Sequence, residues 1–461
     1  MLGYFYYKPF KGKVLITNDW GAYAFLEMDQ FQDLVSDKLE PASDLAQELK
    51  SHMFWTDETK EAFIRRGENS LRQAESYLFE GTSLFILAVT NECNNRCVYC
   101  QAHGTAHPKR MSVQTAEQIL QRIAECPTKR ITIEFQGGEP LINYPVIKYV
   151  VERAPVVMPE KKISFAVVSN LLMITDDSAD FFKAHNVSVS TSLDGPMALH
   201  DMNRPMVNGK GSYEGLVKGI RLLLNHRLIP GAIQTTTKAS LKYPHEIVDS
   251  YINLGFHHIF LRPLTRLGTA AKNWGSIGYT PDEFLDFYRS ALEWIIQKNL
   301  EGEKIIEYYA TLFLSKILSN RSVNYMELRS PCGASLGQMA FTASGNVYTC
   351  DEGRMLAEMG DESFRLGNVF DSGYEHWINS SCCKAVCSAS LLETLPGCCD
   401  CVYKPYCGVC PVVNYALNGS IVKISKDRCR IYAGILDILF EYLLGGKDDM
   451  IQLFMEWGEQ A

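Results

Sequence analysis

Thr90-Asn-Glu-Cys-Asn-Asn-Arg-Cys-Val-Tyr-Cys100 sets Cys93, Cys97 and Cys100 in a Cys-x3-Cys-x2-Cys spacing, with Tyr99 just before the last thiol. The apolar run 84–89 precedes it and reads as a buried strand. The thiols therefore lie on a loop just past a strand end, where α/β folds place their chemistry. Three thiolates can hold three corners of a four-iron, four-sulfur cube and leave one iron open to another ligand. A zinc loop, or three unrelated thiols, is the plainer reading of the same spacing.

Outward from this loop, strand and helix patterns alternate. Strands are expected at 84–89, 131–135, 163–168, 187–192, 232–237 and 258–261. Helical patterns fall between them at 113–125, 144–153, 178–184, 213–225 and 244–253. Six β/α repeats imply parallel strands with right-handed crossovers, and six rather than eight fit an open partial barrel. The periodicity by itself establishes only α/β.

The length of 461 residues allows two to four domains with ample core. Net charge is −8 with no long basic run, which disfavours a general nucleic-acid binder. No apolar run reaches membrane-spanning length and Met1-Leu-Gly-Tyr-Phe-Tyr-Tyr-Lys is no signal-peptide pattern, so a cytoplasmic chain without a membrane partner is expected. Fifteen cysteines are many for a reducing compartment, and eleven lie between Cys332 and Cys429. Clustered in this way they read as metal or iron–sulfur ligands before disulfides. Cys126 stands apart, as a small buried residue.

Further motifs fall at the expected strand ends. Gln136-Gly137-Gly138-Glu139-Pro140 follows the second strand; its glycines let the backbone approach a ligand closely. Ser169-Asn170 follows the third. Ser192-Leu193-Asp194-Gly195-Pro196 follows the fourth, then His200-Asp201 and Arg204. Arg262 ends the sixth and is expected to point at the barrel mouth. Taken singly, Gly-Gly-Glu-Pro and Asp-Gly-Pro are turns and Arg204 is a surface ion pair.

The cysteine loop and these motifs, in this order, resemble the radical S-adenosylmethionine (SAM) enzymes. The resemblance implies a [4Fe-4S] cluster on Cys93, Cys97 and Cys100 that binds SAM, and cleavage of SAM to a 5'-deoxyadenosyl radical. It places Tyr99, Gln136, Gly137, Gly138, Glu139, Ser169, Ser192, Asp194 and Arg204 around the cofactor, with Arg204 suited to the SAM carboxylate. Relatives carry Thr-Asn-Gly at the third strand, where this chain has Leu171 in the glycine's place.

Cys332, Gly345, Cys350, Cys398, Cys401, Cys407, Cys410 and Cys429 resemble the SPASM extension of such enzymes, which carries two auxiliary iron–sulfur clusters. The resemblance implies one cluster, expected as [4Fe-4S], on Cys398, Cys401, Cys407 and Cys429. Cys332, Cys350 and Cys410 supply three ligands of the other. Its fourth corner is open, or filled by Cys382, Cys383, Cys387 or Cys399. The Cys407–Cys410 gap is two residues where sulfatase-maturating relatives have three. Asp351 resembles their general base, which makes it the catalytic candidate. Structural zinc is the alternative for the Cys-x2-Cys pairs.

The expected organisation is an α/β partial (β/α)6 barrel at 83–270, after an N-terminal hairpin-plus-helices module at 1–82. A helical bridge follows at 271–327, the cysteine-rich SPASM segment at 328–430 and a C-terminal helix or pair at 431–461. Strands at 13–17 and 22–26 and three helices make the first module, which either binds a leader peptide along a strand edge or covers one side of the barrel. Thr280-Pro281-Asp-Glu283 signals a helix start.

The function expected is radical modification of a ribosomally made precursor peptide, by crosslinking or oxidation, with a flavodoxin or ferredoxin as reductant. Val14-Leu-Ile-Thr-Asn-Asp19, Leu261-Arg-Pro-Leu-Thr-Arg-Leu-Gly268 and Cys407-Gly-Val-Cys-Pro411 look most like maturases of His-Xaa-Ser-type peptides. The alternatives are an anaerobic sulfatase-maturating enzyme that forms formylglycine, and a non-enzymatic zinc or iron–sulfur scaffold.

Overall fold

The computed structural model describes residues 1–101, 108–319, 322–446 and 448–460. It opens with a three-stranded antiparallel sheet, β1 (Tyr6–Phe10), β2 (Lys13–Thr17) and β3 (Tyr23–Leu26), in that order. The sequence pattern gave only β2 and β3. Pro9 argues against a strand, yet β1 is an edge strand, where a missing N–H is tolerated. Helices Met28–Val35, Asp44–Ser51 and Lys60–Ala74 follow. The small sheet packs on the far end of the chain: Phe10, Tyr23 and Phe25 ring Phe440. Thr17 donates to the Val402 carbonyl and Tyr406 to that of Gly21.

The six parallel strands follow as β4 (Leu84–Thr90), β5 (Arg130–Gly137), β6 (Lys162–Val168), β7 (Val187–Ser192), β8 (Gly231–Thr235) and β9 (His258–Arg262). Along β5, Ile131, Ile133 and Phe135 are buried in one core with Ile119, Leu120 and Val150 of the covering helices. The alternate residues Thr132, Glu134 and Gln136 share the opposite face with their register partners Ser164 and Ala166 on β6. This small, polar inner face leaves room for a ligand. The helices Val113–Ala124 and Asp176–Ala184 begin on side-chain caps; Ser112 accepts from the Thr115 amide at 3.0 Å.

The sheet does not stop at six strands. Short β10 (Ile306–Glu307) pairs with β9, and β11 (Gln338–Phe341) pairs parallel with β4. Antiparallel β12 (Asn346–Tyr348) and β13 (Arg365–Asn368) extend it to ten strands, β10-β9-β8-β7-β6-β5-β4-β11-β12-β13. A strand from the cysteine-rich segment thus covers the exposed edge of β4, a standard answer to an open edge. Helix Pro281–Leu300 starts on the expected capping box, with the Thr280 amide donating to Glu283 Oε2 at 2.7 Å. The chain ends in the helices Lys426–Gly445 and Asp448–Gly458. Among the described residues no helix is long and apolar enough to cross a membrane.

Candidate active site

The loop after β4 is clamped by backbone from three directions. The Gly138 and Glu139 amides donate to the carbonyls of Thr90 (2.8 Å) and Glu92 (2.7 Å). The Arg96 and Val98 amides donate to Pro205 (2.7 Å) and Asn203 (2.9 Å). The Thr269 amide, on helix Gly268–Ile277, donates to the Cys100 carbonyl at 2.8 Å. Close approach explains the glycines. A Cβ at Gly137 would lie 2.0 Å from the Thr90 carbonyl oxygen, and one at Gly138 2.2 Å from that of Glu92. The sequence reading had these glycines admitting a ligand; here they admit the backbone of the cysteine loop.

Cys93 and Cys97 sit close enough to feel each other and Cys100. Burial pushes the Cys93 thiol up to about 11 and the Cys97 thiol up to about 12. A sulfur group that is costly to ionise alone, yet gathered in one place, suits a cationic centre that deprotonates thiols on binding. All fifteen cysteines are described and none of them forms a disulfide. Among the described residues no three His, Cys, Asp or Glu side chains close to single-ion distance. A cluster brings bridging sulfides of its own and takes thiolates at its corners, so it fits wider spacing.

Several residues expected at the cofactor have protein partners for their polar atoms. Tyr99 is 7% exposed; its hydroxyl receives a bond from Arg204 Nη1 at 2.7 Å and donates to Asp194 Oδ2 at 2.8 Å. Asp194 is wholly enclosed, also accepts from the Thr235 amide, and has its carboxyl pushed up by burial. It therefore braces the cysteine loop through Tyr99. His200, kept neutral by burial at about 3, accepts from the Asp194 amide. Glu139 is equally occupied, taking bonds from Ser169 Oγ (2.7 Å) and the amides of Asn170 (2.8 Å) and Leu141 (3.0 Å). Burial pushes its carboxyl up. Ser169 is thus turned to Glu139, while Asn170 donates to Asn94 in the cysteine loop at 2.6 Å. Ser192 is the last residue of β7, paired with Ile233 of β8.

Leu171 has φ +60, the left-handed conformation of the glycine it replaces. Its side chain is 1% exposed, and Gly219 makes room for it: a Cβ there would lie 2.7 Å from both Leu171 Cβ and its carbonyl oxygen.

The cysteine-rich segment separates its thiols into two groups. Cys398, Cys401, Cys407 and Cys429 line one small cavity, which Cys410 and Arg428 also border. Burial pushes Cys398 and Cys407 up to about 12; Cys401 and Cys429 raise both further. Cys332, Cys350 and Cys410 share a separate buried core with Leu356 and Val412. Burial is the largest influence on these three thiols, and the Glu352 carboxylate is the nearest-acting charge after it. Of the four cysteines considered for the remaining corner, only Cys382 packs against that core.

Asp351 follows Cys350 at the head of helix Asp351–Glu358. Arg354 holds it, Nε to Oδ1, at 2.7 Å. Glu134, which the sequence reading passed over, extends from the inner face of β5 and receives Gln136 Nε2 at 2.5 Å. Burial, then the charge of Asp351, push its carboxyl up. Strand alternation two residues before Gln136 was the signal for it. Arg262, at the end of β9, lines a cleft with Leu264 and Trp274; Glu327 holds it at 2.7 Å and Arg428 at 2.9 Å.

Residues 87–238 match the Radical SAM superfamily, so the chain carries a radical SAM domain. It is 23% identical over 343 residues to a cysteine-type anaerobic sulfatase-maturating enzyme of Clostridium novyi, covering 70% of this chain and 86% of that one. It is 21% identical over 449 residues to the radical SAM cyclopropyl synthase TigE of Paramaledivibacter caminithermalis, covering 93% and 86%. Among solved structures, native anSMEcpe with bound AdoMet superposes with a TM-score of 0.69 at 18% identity, covering 81% of this chain and 99% of that one. Streptococcus suis SuiB bound to precursor peptide SuiA gives 0.58 at 13% identity, covering 93% and 100%. The fold is that of radical SAM enzymes.

Proposed function

We propose that this chain modifies a ribosomally made peptide by hydrogen abstraction at the mouth of the partial barrel. The observation that carries the reading is a shared wall. Leu264, Trp274 and Tyr279 pack in one small core with Tyr99 and Cys97, and they also line a cleft of ≈ 420 Å³ that opens beside the cysteine-rich segment. A chain segment lying there would have on one side the wall that backs the cysteine loop and on the other residues 413–428 of the cysteine-rich segment.

Cys93, Cys97 and Cys100 would hold the cluster that binds SAM. When bound, that pair supplies a hydrogen-abstracting radical; the protein supplies position. Asn170 and the glycine-backed loop fix the thiols, and Ser192 and Gln136 line the space where the cofactor would lie. Glu134 and Asp351, near enough that the charge of one raises the carboxyl of the other, are the carboxylates that would take a proton from substrate. Cys398, Cys401, Cys407 and Cys429 would hold one auxiliary cluster, and Cys332, Cys350 and Cys410 the other, with Glu352 beside it. The edge of the N-terminal sheet would take the leader peptide. TigE and the SuiA-bound SuiB support a peptide substrate. The sulfatase-maturing relative supports formylglycine formation as the second reading.

The test is iron and sulfide content with SAM cleavage, on protein reconstituted without oxygen, beside a Cys93/Cys97/Cys100→Ala triple variant. About twelve irons, falling by about four with loss of 5'-deoxyadenosine, are expected. Zinc with no cleavage leaves only a scaffold. Formylglycine from a Cys-type sulfatase peptide selects the second reading.

A further inference from the structure

The cleft beside the cysteine loop has a charge pattern at odds with the rest of the chain. Net charge is −8, yet five cations border the cleft, Arg262, Arg266, Lys423, Lys426 and Arg428, against two acids, Glu327 and Asp427. Two of the cations are already matched, since Glu327 takes both Arg262 and Arg428. The other three are exposed, and among the described residues no carboxylate stands within ion-pair distance of Arg266, Lys423 or Lys426. Arg266 lies over the Trp274 ring, 5.4 Å from its centre, at the cleft wall. The wall itself is apolar and aromatic, with Tyr279, Pro281 and Ile431.

A volume of ≈ 420 Å³ falls within the range of ligand cavities. An apolar floor with an unmatched cationic rim recognises an extended segment that carries carboxylates on its flanks. We infer that this cleft binds an acidic stretch of the peptide substrate next to the residue that reacts, with Arg266, Lys423 and Lys426 as its charge contacts. This rests on the peptide-modifying reading above and gives its substrate a charge class. Arg428 borders both this cleft and the cavity of Cys398, Cys401, Cys407 and Cys429. A peptide seated there is therefore bound between the two cysteine sites.

The test is fluorescence anisotropy on the reconstituted full chain, with fluorescein-labelled peptides of equal length rich in Glu, Ser or Lys. The Glu-rich peptide is expected to bind about tenfold tighter than the Lys-rich one, and to weaken as salt rises. The triple substitution Arg266→Glu/Lys423→Glu/Lys426→Glu should reverse the order. All three side chains are exposed, and circular dichroism checks the fold of the variant. Equal binding of the three peptides, or a preference unchanged in the variant, overturns the inference. Tighter binding of a single-stranded oligonucleotide, lost in the variant, overturns it in favour of a nucleic-acid surface. SAM cleavage measured on the same preparation separates the two readings. Its absence with acidic-peptide preference intact removes the enzymatic proposal and leaves the cleft assignment standing.

Discussion

Arg354 holds the Asp351 carboxylate at 2.7 Å while its own side chain is 2% exposed. An acid at the mouth of the barrel is thus also the counter-charge of a buried guanidinium. Asp351→Asn leaves that cation without its partner, a change of about 3 kcal/mol for a buried pair. The variant is expected to melt several degrees lower by circular dichroism and to lose peptide product. Product loss at an unchanged melting temperature would mean that the ion pair contributes nothing to the fold.

Tyr99 joins Arg204 to Asp194 directly beneath the cysteine loop. Tyr99→Phe removes one hydroxyl and leaves an enclosed carboxylate short of a donor, at a cost of about 2 kcal/mol. The loop should loosen with it. The expected readout is faster loss of iron to a chelator, with auxiliary iron released at the wild-type rate. Equal release from all sites would place the effect elsewhere.

How far the sequence carried can be read from these residues. The six parallel strands were legible because each is a short apolar or alternating run between turn signals, and the cysteine spacing is local. Strands β11 to β13 were not, since they are three or four residues long and depend on a ladder that β11 anchors on β4, far away in sequence, with β12 and β13 added in turn. Tyr99, Asp194 and Glu139 were legible as belonging to the site, but their side was not. Only the fold shows that their polar atoms are taken by Arg204, Thr235 and Ser169 rather than turned to the cavity. Glu134 was within reach of strand alternation, while Arg354 and Glu327 carry no local signal.

Leu171 and Gly219 form a matched pair. Leu171→Gly relieves roughly 1 kcal/mol of left-handed strain but deletes a buried side chain worth more, so a net loss of about 2 kcal/mol is expected. Gly219→Ala drives a methyl into the Leu171 backbone and should cost about 1–3 kcal/mol. The double variant should cost less than the two single losses added, because the glycine at 171 gives the new methyl space. Strict additivity in urea denaturation would show that the two positions are independent.

Glu327 sets a pH dependence with a definite sign. Burial pushes its carboxyl up, but Arg262 and Arg428 outweigh it and bring the value from 4.5 to about 2. A carboxyl lowered in the folded state contributes stability that is complete above about 4.5 and is lost as pH falls towards about 2. The window is therefore acidic. Glu327→Gln should be less stable at neutral pH, because two partly buried guanidinium groups lose their shared partner. It should also lose less on acidification. Urea unfolding of both proteins from neutral pH down to the acid limit measures the difference; parallel curves across that window would show that Glu327 carries no linked proton.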